Sequence, residues 1–187
     1  MDRVDRFNEL YQAQYQTVLR YALRRTDPET ARDAVAETFL VAWRRLDTVP
    51  ADHAQATPWL YAVARNVLAN ADRSQRRAAR VTAKLGHQRL AEFAPDTDRA
   101  VLECARLERA LARLTPADQE ALRLVGWEEL DVAEAALAMG CSSSTMAVRL
   151  HRARRRLERA LQTADHEESR PTITPPAPAY KVRQETP

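Results

Sequence analysis

Glycine is nearly absent. Three residues in 187 leave almost no material for the Gly-rich loops that cradle phosphates or for a dinucleotide-binding fold. Cysteine is as scarce, and Cys104 and Cys141 form neither a disulfide framework nor the CxxC spacing of a zinc site. No apolar run approaches the roughly 18 residues of a membrane span, and no signal-peptide pattern opens the chain. A cytoplasmic protein without membrane insertion is expected. His53, His87, His151 and His166 are scattered in no metal or nucleophile spacing. The acidic residues read as surface charge rather than acid/base pairs. The chain is therefore not expected to be an enzyme or to carry a cofactor. Lysine occurs only at Lys84 and Lys181, so positive charge is almost wholly arginine, the side chain that suits phosphate and guanine.

What remains is helix-forming sequence with almost no strand-like alternation, which predicts an all-α chain. Asp27-Pro28-Glu29, Thr57-Pro58 and Thr115-Pro116-Ala117-Asp118 each put an N-cap residue before a proline. Proline is pre-organised there because its missing N–H would be unpaired anyway. Ser142 to Thr145 offer hydroxyl caps just after Gly140, a natural helix-ending residue. Apolar residues recur at helical spacing from Phe7 to Ala22 and from Val35 to Leu46. A third such run goes from Leu60 to Leu68 and on into Arg73, Arg76, Arg77 and Arg80. Asp47 to Ala56 reads as a structured loop before the third helix.

Two small helical domains joined by a linker are expected, the first over residues 1–77 and the second over residues 106–163. Between them, residues 78–105 weaken in pattern around Gly86 and Pro95. After them, residues 164–187 hold Pro171, Pro175, Pro176, Pro178 and Pro187, half of the chain's 10 prolines. That tail has too little apolar surface to fold alone and is expected to be disordered.

The formal net charge of +3 conceals an uneven distribution. Residues 106–140 are net acidic, whereas residues 141–163 carry Arg149, Arg152, Arg154, Arg155, Arg156 and Arg159 against the single Glu158. A basic run on one helix is either a solvated face or the electrostatic footprint of a helix laid against DNA. The flanking pattern favours DNA. Asp131 can cap a short helix from Val132 to Met139, Gly140-Cys141-Ser142 makes a turn, and a second helix starts near Ser143. Met146, Leu150, Ala153 and Leu157 form one apolar stripe on it. Ser143, Ser144, Ala147, Val148, His151, Arg152 and Arg155 are left to face outward, the plan of a helix-turn-helix whose first residues reach base edges while later arginines hold phosphates.

Leu114-Thr115-Pro116, Asp131 to Ala136, Met139-Gly140-Cys141-Ser142 and Val148-Arg149-Leu150-His151-Arg152-Ala153-Arg154 together resemble the promoter-reading C-terminal domain of extracytoplasmic-function (ECF) sigma factors. Independently, Asp33 to Phe39 with Ala42-Trp43-Arg44 is similar to that family's polymerase-binding helix. Trp59 to Asn66 is similar to its promoter-melting helix. The resemblance implies a sigma factor that binds RNA polymerase core enzyme and directs promoter-specific transcription initiation. The first domain would read and melt the minus-ten element, and the helix-turn-helix would read the minus-thirty-five element. Asp33, Glu37 and Arg44 would face the polymerase. Asn66 would lie near minus-ten bases, where an amide can read a base edge, and Arg65, Arg73, Arg76 and Arg77 would hold the DNA backbone. Trp59 and Tyr61 fit core packing and strand contact equally. The resemblance also implies an anti-sigma factor clamped between the domains. A helix-turn-helix regulator acting without polymerase is the alternative, but it has no need of the second motif set. The chain departs from the family pattern at Ala36, Ala62 and Ala147, where polar or basic residues are frequent, and at Glu129, where a turn glycine is common. A reshaped loop is expected around Glu129.

Overall fold

The computed structural model describes residues 2–82 and 99–168, and within them the chain is helical without a strand. Seven α-helices follow in order: α1 (Arg3–Leu23), α2 (Pro28–Arg44), α3 (His53–Thr82), α4 (Arg99–Ala112), α5 (Pro116–Gly126), α6 (Val132–Met139) and α7 (Ser143–Glu168). A single 3-10 turn, Leu46–Thr48, follows α2.

Most helix starts are where the local chemistry puts them. The Asp27 carboxylate accepts the backbone N–H groups of Glu29 and Thr30, with Pro28 opening α2. Those bonds, the Thr30 amide foremost, push the Asp27 pKa down to about 2. Thr115 caps α5 through the Asp118 amide. Asp131 and Glu134 form a reciprocal capping box on α6. Ser142 Oγ accepts the Thr145 amide at the start of α7.

The third helix departs from expectation. It begins at His53, and Asp52 caps it by accepting the Ala54 amide at 3.1 Å. Pro58 therefore lies inside the helix, fully buried, where its missing N–H deprives only the Ala54 carbonyl. Thr57 lies inside the helix rather than at its N-cap; its hydroxyl donates to Gln14 Oε1 at 3.0 Å and ties α3 to α1. The loop before α3 is thus shorter than Asp47 to Ala56. Helix also extends past the expected domain edges: α3 runs to Thr82, α4 starts at Arg99 and α7 continues to Glu168. The remaining linker and tail, residues 83–98 and 169–187, lie outside the described residues.

Helices α1, α2 and α3 pack together, as do α5, α6 and α7, and α6 lies against α3. The largest core is consequently shared. It runs from Val18, Tyr21, Val35, Phe39, Leu60 and Ala64 into Leu124, Ala135, Met139 and Met146 of the second half. Alanines at 135, 136 and 138 leave α6 nearly smooth on its buried side, which permits close approach of the helix axes. A smaller cluster of Ala110, Leu114 and Ala160 joins α4 to α7.

Candidate nucleic-acid and polymerase interfaces

On α2, Val35, Phe39 and Ala42 turn into the core while Asp33, Glu37 and Arg44 are exposed. Leu40 shares the outer side and is 40% exposed, large for a leucine with a core at hand. It is a candidate contact the sequence reading passed over, although its place three residues after Glu37 and four before Arg44 was legible. Beside this surface, Phe7, Tyr11 and Tyr15 of α1 form a chain of ring contacts with Phe39 and Trp43 that fixes α1 on α2.

On α3, Asn66, Arg73 and Arg77 are exposed. The Arg76 side chain lies outside the described residues. Arg73 donates to Asn70 one turn back, so its guanidinium is held along the helix. Arg65 behaves differently from its neighbours. It is half-buried and turned toward α6, with Nη1 3.8 Å from Met139 Sδ, while its buried Nε has no hydrogen-bond partner. Trp59 packs partly against the core, and Tyr61 is buried in it, stacked on Tyr21 with ring centroids 4.4 Å apart.

The helix-turn-helix is formed by α6, α7 and a turn in which Gly140 has φ +66°. Only a residue without Cβ takes that left-handed conformation freely, and it closes α6 sharply enough for Ser142 to cap α7. Met146, Leu150 and Ala153 are buried as the stripe predicts, and Leu157 is partly so. Ser143, Ser144, Ala147, Val148, His151, Arg152 and Arg155 are exposed, and Arg149 is half-buried. An open groove of about 400 Å³ runs along this side, lined by Ser144, Thr145, Arg149, Arg152 and Arg156. Its one acid is Asp118 of α5, a buried carboxylate that pairs with Arg156. Before α6, the left-handed position falls on Glu129 itself, with φ +57°, while Gly126 ends α5.

Between the halves lies a polar cluster that no sequence signal announced. Arg25 at the end of α1 is bound bidentately by Glu120 of α5 and donates at 2.8 Å to Glu128. Arg24 reaches Glu128 Oε2 at 2.8 Å and the Trp127 carbonyl at 3.2 Å. The Tyr21 hydroxyl donates to Glu120 at 2.8 Å, and the Arg25 guanidinium lies 3.5 Å over the Tyr21 ring. Burial, reinforced by the neighbouring glutamates, pushes the pKa values of Tyr21 and Tyr61 well above the ordinary phenol range. Both hydroxyls thus stay protonated donors.

No helix among the described residues is long and apolar enough to cross a membrane. Two family models match the chain, Sigma-70 region 2 over residues 10–78 and Sigma-70 region 4 over residues 104–157. The chain is 34% identical over 160 residues to the ECF RNA polymerase sigma factor BldN of Streptomyces coelicolor, covering 84% of this chain and 61% of BldN's length. It is 31% identical over 158 residues to the ECF RNA polymerase sigma factor SigL of Mycobacterium tuberculosis, covering 82% of this chain and 87% of SigL. Among solved structures it is similar to CnrH in complex with the cytosolic domain of CnrY, with a TM-score of 0.54, 25% identity, and 84% and 88% of the two chains covered. The fold is also that of the sigma factor RpoE in complex with the anti-sigma factor NepR from Bartonella quintana, with a TM-score of 0.63, 23% identity, and 83% and 96% covered. With a region 2 match on α1–α3, a region 4 match on the helix-turn-helix, and SigL aligned over most of both chains, this protein belongs to the ECF RNA polymerase sigma factors.

Proposed function

We propose that the chain recruits RNA polymerase core enzyme and directs it to promoters by reading two separate DNA elements. The observation that carries this reading is the presence of two exposed polar and cationic helix faces on one chain, Asn66 to Arg77 on α3 and Ser143 to Arg155 on α7. The exposed stripe of Asp33, Glu37, Leu40 and Arg44 on α2 supports a protein partner there, because an apolar residue ringed by both charge signs suits a helical surface. Asn66 and the arginines of α3 would engage the minus-ten element. The first turn of α7 would read the minus-thirty-five bases while Arg149, Arg152 and Arg155 hold phosphates. The work is binding rather than catalysis, done in the cytoplasm where core enzyme and promoter DNA meet. An anti-sigma factor is a further partner in this reading, in keeping with the similar CnrH, which is in complex with the cytosolic domain of CnrY. In this reading the domains are residues 1–77 and residues 106–163, with a linker over 78–105 and a tail over 164–187, and helix persists into both ends of that linker and into the first residues of that tail.

Run-off transcription with purified core enzyme on candidate promoters tests the reading. A specific transcript that depends on the added chain is expected, and a chain that directs none from any promoter that responds to its overexpression would remove it.

A further inference from the structure

We infer that the groove between α4, α5 and α7 is a binding site for a polyproline II segment, and that its ligand is the chain's own Pro175-Pro176-Ala177-Pro178, folded back along α7. The inference stands apart from the promoter-directing reading, which uses neither the groove nor the tail.

The groove holds about 300 Å³ and is lined by Leu107 and Leu111 of α4, Leu122 of α5, Trp127 just after it, and Leu157 of α7. Trp127 is 37% exposed, and Leu107, Leu122 and Leu157 are only partly covered. Grooves with an aromatic wall are the form in which proline-rich segments are recognised. The polar side-chain groups here are donors alone: the guanidinium groups of Arg123 and Arg154 and the Trp127 indole N–H. Arg123 sits 5.6 Å from the centre of the Trp127 ring, and its buried Nε has no hydrogen-bond partner. Burial, and the neighbouring Arg25 after it, lower the Arg123 pKa. A turn of that guanidinium toward the groove would give its donor an acceptor, and a charge-assisted bond with it.

That donor set selects the occupant. An α-helix commits its carbonyls to its own ladder and offers none along its side. A polyproline II segment leaves every carbonyl free, and its prolines bring no competing N–H. Donors around an apolar floor therefore favour such a segment over an amphipathic helix from another protein. Residues 169–187 contain one. Pro171 to Tyr180 carries no charge for the two arginines to repel. Pro175 and Pro178 stand three residues apart, the period of that helix, so both rings fall on one side of it.

The tail is long enough to return. Helix α7 ends at Glu168, and the axis from Leu157 to Glu168 measures about 17 Å at 1.5 Å per residue. Extended, residues 169–173 cover about 17 Å as well. Thr174 can then lie beside Leu157 with α7 intact, and Pro175 to Pro178 run on toward Arg154. Tethering raises the effective concentration into the millimolar range, so a contact too weak to hold a free peptide still fills the groove. The segment lies beyond the region 4 match, which ends at residue 157, so the ligand is a feature of this chain and not of that match.

A photoactivated benzophenone side chain in place of Tyr180, in the full-length chain, reports where the segment sits, because it bonds to the carbon beside it. Cross-links to the groove, at residues 107–111, 122–127 or 150–157, are expected. In an equal mixture of unlabelled and isotope-labelled chains they should join peptides of like label. The double substitution Pro175→Ser, Pro178→Ser should cut them by at least about fivefold, and so should Trp127→Ala. The tail pair lies outside every helix, so it still reads the docking if Trp127→Ala unfolds its half. Groove cross-links between unlike labels would give the site to a second copy and overturn self-docking. Groove cross-links that survive the loss of both prolines would overturn polyproline recognition. Absence of groove cross-links overturns the inference outright and leaves the groove to another protein.

Discussion

Arg25 binds Glu120 with two hydrogen bonds, Nε to Oε2 at 2.9 Å and Nη2 to Oε1 at 3.1 Å, although 95 residues separate them in the chain. A second carboxylate, Glu128, takes another of its donors. Removing the arginine takes the ion-pair partner from the buried Glu120 and leaves Glu128 only the more exposed Arg24. Breaking one partner out of a buried pair costs about 3–5 kcal/mol where the site cannot rehydrate. Parting of the halves would let both acids rehydrate, which would limit the loss to the docking energy. Arg25→Ala is therefore expected to split a single urea transition into two, with the less stable half unfolding at lower urea. A single transition at an unchanged midpoint would contradict this.

The same cluster makes a prediction in pH. Tyr21 and Tyr61 have pKa values raised by burial first and by Glu120 or Glu128 next. Their neutral forms are favoured in the folded chain, so this contribution to stability is fully present below the unfolded phenol pKa of about 10. It is lost as pH rises above that value. In an ultraviolet titration, Tyr21 and Tyr61 should ionise late, above the ordinary phenol range, and this late pair should appear together with loss of helicity. Early ionisation of Tyr21 in a folded chain would show that the face is wet. In an Arg25→Glu variant the late pair should move earlier, since charge reversal at the contact between the halves lets water reach both hydroxyls.

How much of this was readable follows from the range of each interaction. The caps at Asp27, Thr115, Asp131 and Ser142 act over three residues, and their residue types announce them. The Met146, Leu150, Ala153 stripe is equally local, so the helix-turn-helix and its outward face were legible. Thr57-Pro58 carried the same signal and misled. A proline is tolerated one turn inside a helix as well as at its first position, and Asp52 offered an earlier cap. Arg65 looked like its exposed neighbours because nothing within a helical turn marks it for burial. Only the approach of α6 does that. The Arg25–Glu120–Glu128 cluster joins residues with no shared periodicity, so charge counted along the chain saw solvated ends of helices.

Two left-handed positions flank α6 and carry opposite residues. Gly140 sits at φ +66° with open space where a Cβ would go, the nearest atom being Arg65 Nη2 at 4.0 Å. Only the backbone conformation penalises a side chain there. Gly140→Ala should destabilise the chain by about 1 kcal/mol, with Gly140→Asn costing less. Glu129 adopts φ +57° as a non-glycine residue. Glu129→Gly should raise stability by up to about 1 kcal/mol, because relief of the strain exceeds the added freedom of the unfolded chain. Thermal denaturation of the three variants checks both signs, and equal shifts at Gly140→Ala and Glu129→Gly would show that the φ values do not govern.

Arg152 and Arg156 both line the groove on α7 but differ in what holds them. Arg156 is paired with the buried carboxylate of Asp118 and anchors α7 to the first turn of α5. Arg152 is exposed on the same side. A phosphate contact releases counterions and steepens the salt dependence of binding, whereas a guanidinium already neutralised by a carboxylate releases few. Arg152→Ala is therefore expected to weaken binding of the polymerase-bound chain to promoter DNA and to reduce the log–log salt slope by about 1. Arg156→Ala should leave the slope nearly unchanged and lower the melting temperature instead, because Asp118 loses its partner while buried. Asp118→Asn separates the roles further. It frees Arg156 at little change in side-chain size, so the salt slope should steepen even as stability falls. A slope reduced equally by Arg152→Ala and Arg156→Ala would mean that the Asp118 pair opens on DNA and that both arginines hold phosphates.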